Sequence, residues 1–145
     1  MRIALSADIA APPAAVWHAL TDGEARAGWW RDGIVLEPWP GGAFAEPWRD
    51  GDGSLQLTRG HVLMHLPPWL LDLSWRDNDW PAATRVRFAL SPTGTGCRLA
   101  LTHDGWTALA AGDELVVAHK AGWRQHLDRL RVHVEGGEKP RDGRV

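Results

Sequence analysis

Two histidines lie where an imidazole could do chemistry inside the fold. His103 alternates with Leu99 and Leu101 in a strand-like segment, so it should share their inward face. His119 falls on the apolar side of a C-terminal helix, one turn before Trp123. If the two meet at the mouth of a cavity, a neutral imidazole there could orient a polar ligand atom or act as an acid or base. The simpler interpretation, which we prefer, is that each is a hydrogen-bonded, partly buried histidine.

A carboxylate is the other candidate group. Glu46 alternates with Phe44 and Trp48, both large and aromatic. If that face is inward, the carboxylate enters apolar space, where it must be paired, for example with Arg59 or Arg87. There it could fix the polar end of a ligand. The alternative is that the twist at a strand edge exposes it.

Other patterns that carry chemistry lack essential parts. His61 and His65 lie four residues apart on a strand, hence about 13 Å apart, which is too far to share a metal ion. Cys97 has no basic neighbour beyond Arg98, and the chain has neither a nucleophile elbow nor a phosphate-binding glycine loop. The DGDG segment at 50–53 begins like a calcium loop but lacks the terminal glutamate. We therefore expect no catalytic signature, no metal and no cofactor.

An antiparallel sheet and one long helix should position these residues. A strand at 2–9 is followed by a helix that begins at Pro12-Pro13 and a short helix at 24–29. Strand-like segments follow at 34–37, 43–48, 54–66, 69–75, 84–90 and 97–103, with Gly60 predicting a bulge. A helical stripe from Asp113 to Val134 ends the pattern. This order predicts an α+β fold, a curved antiparallel sheet wrapped around the long helix, in one domain (1–135) followed by a polar tail (136–145).

One helix cannot seal a curved sheet along its whole length, so an internal cavity is expected. Composition bias explains much of the count of ten tryptophans, but their positions remain informative. We expect Trp75, Trp106 and Trp123 to frame the core, and Gly122 to let helix and sheet approach closely. The predicted cavity residues are Phe44, Glu46, Trp48, Leu73, Trp75, Phe88, Leu101, His103, Trp106, His119 and Trp123.

Composition limits the classes of partner. The 145 residues suit one domain, and a net charge of −2 argues against nucleic acid. The sequence has neither a polybasic cluster nor an apolar run of about 20 residues, so it argues against a membrane partner. The single cysteine allows no intrachain disulfide and fits a reducing cytoplasm, and the N-terminal segment looks like a strand rather than a signal peptide.

Several segments resemble the START-like, or SRPBCC, superfamily with its helix-grip fold. They are ADIAAPPAAVWHALTDGEARAGWW, EPWPGGAF, DGDGSLQLTRGHVLMHLPPWLLDLSW, GCRLALTHDGW and AGWRQHLDRL. Within it they are most similar to bacterial homologues of the activator of the heat-shock chaperone's ATPase, over about Met1 to Val134. The residues that carry the resemblance are turn glycines, a proline at a helix start and packing tryptophans, so the resemblance implies the fold without implying a catalytic signature.

The resemblance implies carriers of apolar ligands, chaperone activators or cyclase-type enzymes. Our leading hypothesis is a module that binds a small apolar or amphipathic ligand, such as a lipid, in its cavity. The first alternative is a protein-interaction module of the stress response, with a chaperone or another protein as partner. The second is a cyclase or hydrolase that uses a cavity histidine and glutamate, although we lean against an enzyme. A homodimer is possible in each case.

Overall fold

The computed structural model describes residues 2–110 and 112–136, and its elements follow the predicted order. The strands are β1 (Arg2–Ile9), β2 (Val35–Leu36), β3 (Ala43–Arg49), β4 (Leu55–Leu66), β5 (Leu70–Asp77), β6 (Thr84–Thr93) and β7 (Gly96–Asp104). The helices are α1 (Pro13–Thr21), α2 (Gly23–Ala27) and α3 (Gly112–Gly136), with a short 3-10 helix at Trp106–Ala108. The predicted α+β class is confirmed. Helix α3 extends into the stretch 136–145 that was assigned to a tail, and residues 137–145 lie outside the described part.

The seven strands form one antiparallel sheet in the order β1-β7-β6-β5-β4-β3-β2. Short connections between neighbouring strands favour this arrangement. The register fixes which residues face the concave side. Ile3 lies opposite His103, and His103 lies opposite Val86. All three are fully buried, so the inward face predicted for β7 is confirmed.

Helix α3 covers the concave face with an apolar stripe. Its large buried residues are Trp123, Leu127, Leu130 and Val134, at spacings of three and four residues. The helix runs closest to β1, and the half of the sheet formed by β3–β5 stands further away. Aromatic side chains bridge part of that gap, and the ring of Trp123 lies 5.1 Å from the ring of Trp75.

The bulge predicted at Gly60 is wrong. The register of β4 against β5 shifts between Val62 and Met64 instead. Gly60 lies where the two strands pass so closely that a Cβ would stand 1.8 Å from the backbone oxygen of Ser74. The glycine is therefore required by close approach of another backbone rather than by an extra residue in the strand.

Within the described residues, none of the helices combines the length and apolar character needed to cross a membrane.

Candidate functional site

An open pocket of about 250 Å³ lies between the concave face of β3–β5 and the middle of α3. Pockets for drug-sized ligands measure about 300–1,000 Å³, so this one suits a smaller molecule. The sheet contributes Glu46, Trp48, Thr58, Trp75 and Asp77 to its lining.

Helix α3 leaves room for the pocket through its small residues. Ala118 and Gly122, one turn apart, both line it. A Cβ added at Gly122 would meet no atom within 4 Å. The close approach of helix and sheet predicted there is therefore wrong, and the missing side chain leaves open space instead.

Trp75 is the centre of the aromatic wall. Its ring stacks on Phe44 at 5.3 Å and on Trp30 at 6.2 Å. The residue is only 5% exposed, yet its indole nitrogen has no hydrogen-bond partner among the described residues. Because buried donors are nearly always paired, this N–H is a candidate for a ligand or a water molecule.

The turn after α2 brings a cation to the pocket. Asp22 caps α2 through a 3.0 Å bond from the Ala25 amide, and the indole of Trp29 donates to the carbonyl of Ala19 at 2.9 Å. These bonds fix α2 against α1. They thereby position Arg31, two residues further on, which lines the pocket.

Glu46 faces inward and is 5% exposed. Its Oε2 accepts hydrogen bonds from Arg31 Nε at 2.6 Å and from Trp30 Nε1 at 3.2 Å. Burial raises the pKa of this carboxyl, and Arg31 and Trp30 oppose the rise. The exposed alternative is thus wrong, and a carboxylate does enter an aromatic pocket.

The arginines predicted to pair with Glu46 bind elsewhere. Arg59 lies opposite Ala45, on the outward face of the sheet. Arg87 donates to Asp72 at 2.9 Å, again on the outward face. Side chains alternate between faces along a strand, so neither arginine reaches the concave side.

A second carboxylate, which the sequence analysis missed, lines the same pocket. Asp77 Oδ1 accepts the hydroxyl of Thr58 at 2.5 Å, and that hydroxyl accepts the indole N–H of Trp48 at 2.9 Å. Asp77 lies two residues after Trp75 on one strand, and therefore on the same face. The two-residue spacing from Trp75 could therefore have identified Asp77 from the sequence.

Two imidazoles lie on the α3 side of the pocket. His119 Nδ1 donates to the carbonyl of Leu115 at 3.0 Å, and its Nε2 is 3.8 Å from Asp77 Oδ2. Burial lowers the pKa of His119, which the Leu115 carbonyl and Asp77 oppose. Burial also lowers the pKa of His126 to about 4, and Arg31 adds to this effect. Both rings are therefore neutral at pH 7.

His103 lies in the core rather than in the pocket lining. Its Nδ1 accepts the indole N–H of Trp123 at 3.0 Å, so the proton is on Nε2, 2.7 Å from the hydroxyl oxygen of Thr84. That hydroxyl donates to the carbonyl of Trp75 at 2.8 Å. Burial lowers the pKa of His103 to about 2. The rings of His103 and His119 are 5.6 Å apart, so the two do meet, with His119 in the pocket wall and His103 behind it.

The remaining predicted residues divide into two groups. Glu46, Trp48, Trp75, His119 and Trp123 line the pocket. The others are at most 1% exposed and belong to the core; they are Phe44, Leu73, Phe88, Leu101, His103 and Trp106. Across residues 2–110 and 112–136, no three histidine, cysteine, aspartate or glutamate side chains come together as a metal site.

The sequence matches one family model. The model is described as "Activator of Hsp90 ATPase homolog 1-like protein" and covers residues 10–135. No curated protein matches the chain.

Solved bacterial structures share the fold. Protein MLL2253 from Mesorhizobium loti is 22% identical with a TM-score of 0.78, over 96% of this chain and 99% of that one. The Aha1 dimer from Colwellia psychrerythraea is 19% identical with a TM-score of 0.78, again over 96% and 99%. CalU16 from Micromonospora echinospora is 26% identical with a TM-score of 0.76, over 99% and 80%. The predicted helix-grip fold is confirmed.

Proposed function

This chain belongs to the family of Activator of Hsp90 ATPase homolog 1-like proteins, and from this premise we propose that it binds a small apolar or amphipathic molecule between the sheet and α3. The observation that carries the proposal is the open pocket of about 250 Å³ with walls from Trp48, Trp75 and Trp123. Concave, largely aromatic pockets with a few polar groups are typical of small-molecule sites.

The buried N–H of Trp75 supports a polar contact with the ligand. This donor has no partner among the described residues, and leaving a buried donor unpaired costs about 1–3 kcal/mol. A ligand oxygen or a water molecule would remove that cost. The proposed ligand is an amphipathic molecule whose apolar part lies against the tryptophan side chains.

The size of the pocket limits the affinity. A ligand of about ten heavy atoms that buries roughly 200 Å² of apolar surface gains about 5 kcal/mol at 25 cal/mol per Å². The loss of translational and rotational freedom offsets much of that gain. A gain of 5 kcal/mol with no offset would give a dissociation constant of roughly 0.2 mM, so we expect dissociation constants of about 1 mM or weaker.

Filling the pocket tests the proposal. We would titrate naphthol, tryptophol and octanoate into the protein by calorimetry. Gly122→Leu places a side chain in the open space, so binding should fall at least about tenfold. Ala121→Leu is the matched control, because Ala121 is exposed on the same helix and does not line the pocket. The proposal fails if neither these compounds nor related indole derivatives bind the wild-type protein, or if Gly122→Leu binds them as the wild type does.

Self-association is a second candidate, favoured by exposed apolar side chains on the outer face of β2–β4. Val35, Leu55 and Leu57 are 49%, 62% and 36% exposed. The strand register places them on one outward face with Ala45 and Pro47, a face that also carries Arg49 and Arg59. The similar Colwellia structure is described as a dimer, which supports a second copy of this chain as the occupant.

Light scattering tests this second candidate. The wild-type protein should have the mass of a dimer, and Leu57→Lys should have the mass of a monomer with unchanged ellipticity. A monomeric wild type would exclude it.

A further inference from the structure

The pocket carries an excess of negative charge. Its ionised side chains are Glu46, Asp77 and Arg31, which sum to −1. Its two imidazoles, His119 and His126, are neutral at pH 7 because burial lowers their pKa values. A neutral ligand would leave that excess of negative charge uncompensated, and an anionic ligand would add to it.

Both carboxylates keep an oxygen free to accept a hydrogen bond. The two donors to Glu46, from Arg31 and Trp30, converge on Oε2, and no described residue donates to Oε1. Asp77 uses Oδ1 for the hydroxyl of Thr58, and its Oδ2 is 3.8 Å from the nearest basic nitrogen. Carboxylate oxygens only accept, so a ligand group that binds to these oxygens must be a donor.

The walls of the pocket favour the same kind of ligand. Trp48, Trp75 and Trp123 line it, and the face of an indole attracts a cation. We propose that the ligand carries a single ammonium group that contacts Glu46 and Asp77, attached to an aromatic or short apolar body that lies against the tryptophans. Because such a ligand has no acceptor, the N–H of Trp75 would pair with a water molecule rather than with the ligand. This inference rests on the proposed function, since it names the chemical class of the molecule that the same pocket binds.

Three indoles of nearly equal size separate charge from shape. Tryptamine carries an ammonium at neutral pH, tryptophol carries a hydroxyl, and indole acetate carries a carboxylate. Because a hydrogen bond to a charged group is stronger than a neutral one, tryptamine should bind at least about tenfold more tightly than tryptophol. Indole acetate should bind most weakly.

Charge-removing variants locate the effect. Asp77→Asn and Glu46→Gln keep an acceptor oxygen but lose the charge, so each should weaken tryptamine binding about tenfold and leave tryptophol binding unchanged. Asp104→Asn is the control, since Asp104 changes net charge equally but belongs to the outward face of the sheet. Two variants on different strands keep the test valid if one of them does not fold, which thermal melting would reveal.

The outcomes distinguish the two proposals. If tryptophol binds as tightly as tryptamine and Gly122→Leu abolishes both, the pocket binds ligands but the cationic class is wrong. The cationic class is also overturned if Asp104→Asn weakens tryptamine as much as the pocket variants do, or if tryptamine does not bind at all. If no indole, naphthol or octanoate binds, the proposed function itself fails.

Discussion

Removing one hydroxyl from the core should destabilise the protein strongly. Thr84 is 3% exposed and connects the imidazole of His103 to the carbonyl of Trp75. Thr84→Val keeps the shape of the side chain but leaves the Nε2–H of His103 without an acceptor. The carbonyl of Trp75 also loses the donation from that hydroxyl.

The loss follows from these two contacts. An unsatisfied buried donor costs about 1–3 kcal/mol, and a lost hydrogen bond costs about 1 kcal/mol more. We therefore expect Thr84→Val to lose about 3 kcal/mol of unfolding free energy. For a chain of this length that corresponds to a fall of about 10 °C in Tm.

Urea unfolding followed by circular dichroism measures the effect. The midpoint should fall by roughly 1–2 M at an unchanged slope of about 2 kcal/mol per M. Thr102→Val is the control, because Thr102 lies on the next strand but on the outward face, and it should change stability by less than about 0.5 kcal/mol. Equal midpoints for the two variants would refute the role assigned to His103 as a buried structural group. Tryptophol affinity should stay within about threefold of wild type, since His103 does not line the pocket.

Titrating groups in and beneath the pocket give two more predictions. His103 and His126 have native pKa values of about 2 and about 4, below the usual 6.5. At pH 5 these two imidazoles are neutral in the folded protein and protonated once it unfolds, so unfolding should take up about two protons. Release of a proton by Glu46 offsets part of that uptake. The stability that is present above pH 6.5 therefore falls as the pH drops. A urea midpoint that is unchanged between pH 7 and pH 5 would contradict this. Arg31→Met should lower the free energy of unfolding by about 1–2 kcal/mol at pH 7, because Glu46 loses the cation that pairs with it. The loss is no larger because the side chain of Arg31 is 41% exposed, so solvent screens the ion pair. The raised pKa of Glu46 makes the loss smaller at pH 5, and an equal loss at both pH values would count against the ion pair.

The fold was predictable because its information is local. Residues that alternate with period two, such as Val86 and Phe88 in β6, show which face of a strand is buried. Leu127, Leu130 and Val134 give the period of α3 in the same way. No partner in space is needed to detect either pattern.

The site was predictable only in part, because it depends on which elements meet. Glu46 was identified from its aromatic neighbours, but its cation, Arg31, comes from the turn after α2 rather than from a neighbouring strand. Arg59 looked suitable in the sequence, yet the register places it opposite Ala45, on the other face. Pairing across elements requires the register, which alternation alone does not provide.

Gly60 and Gly122 differ in their surroundings, and substitution should separate them. Gly60→Ala puts a Cβ 1.8 Å from the backbone oxygen of Ser74, so β4 and β5 must move apart, at a cost of about 3 kcal/mol or more. Gly122→Ala meets nothing within 4 Å and removes a helix-weakening glycine, so it should stabilise α3 by up to about 1 kcal/mol. It should also narrow the pocket and weaken tryptophol binding. Urea midpoints for the two variants should shift in opposite directions. If Gly122→Ala is instead destabilised, helix and sheet are in close contact there, and the pocket does not owe its space to the missing side chain.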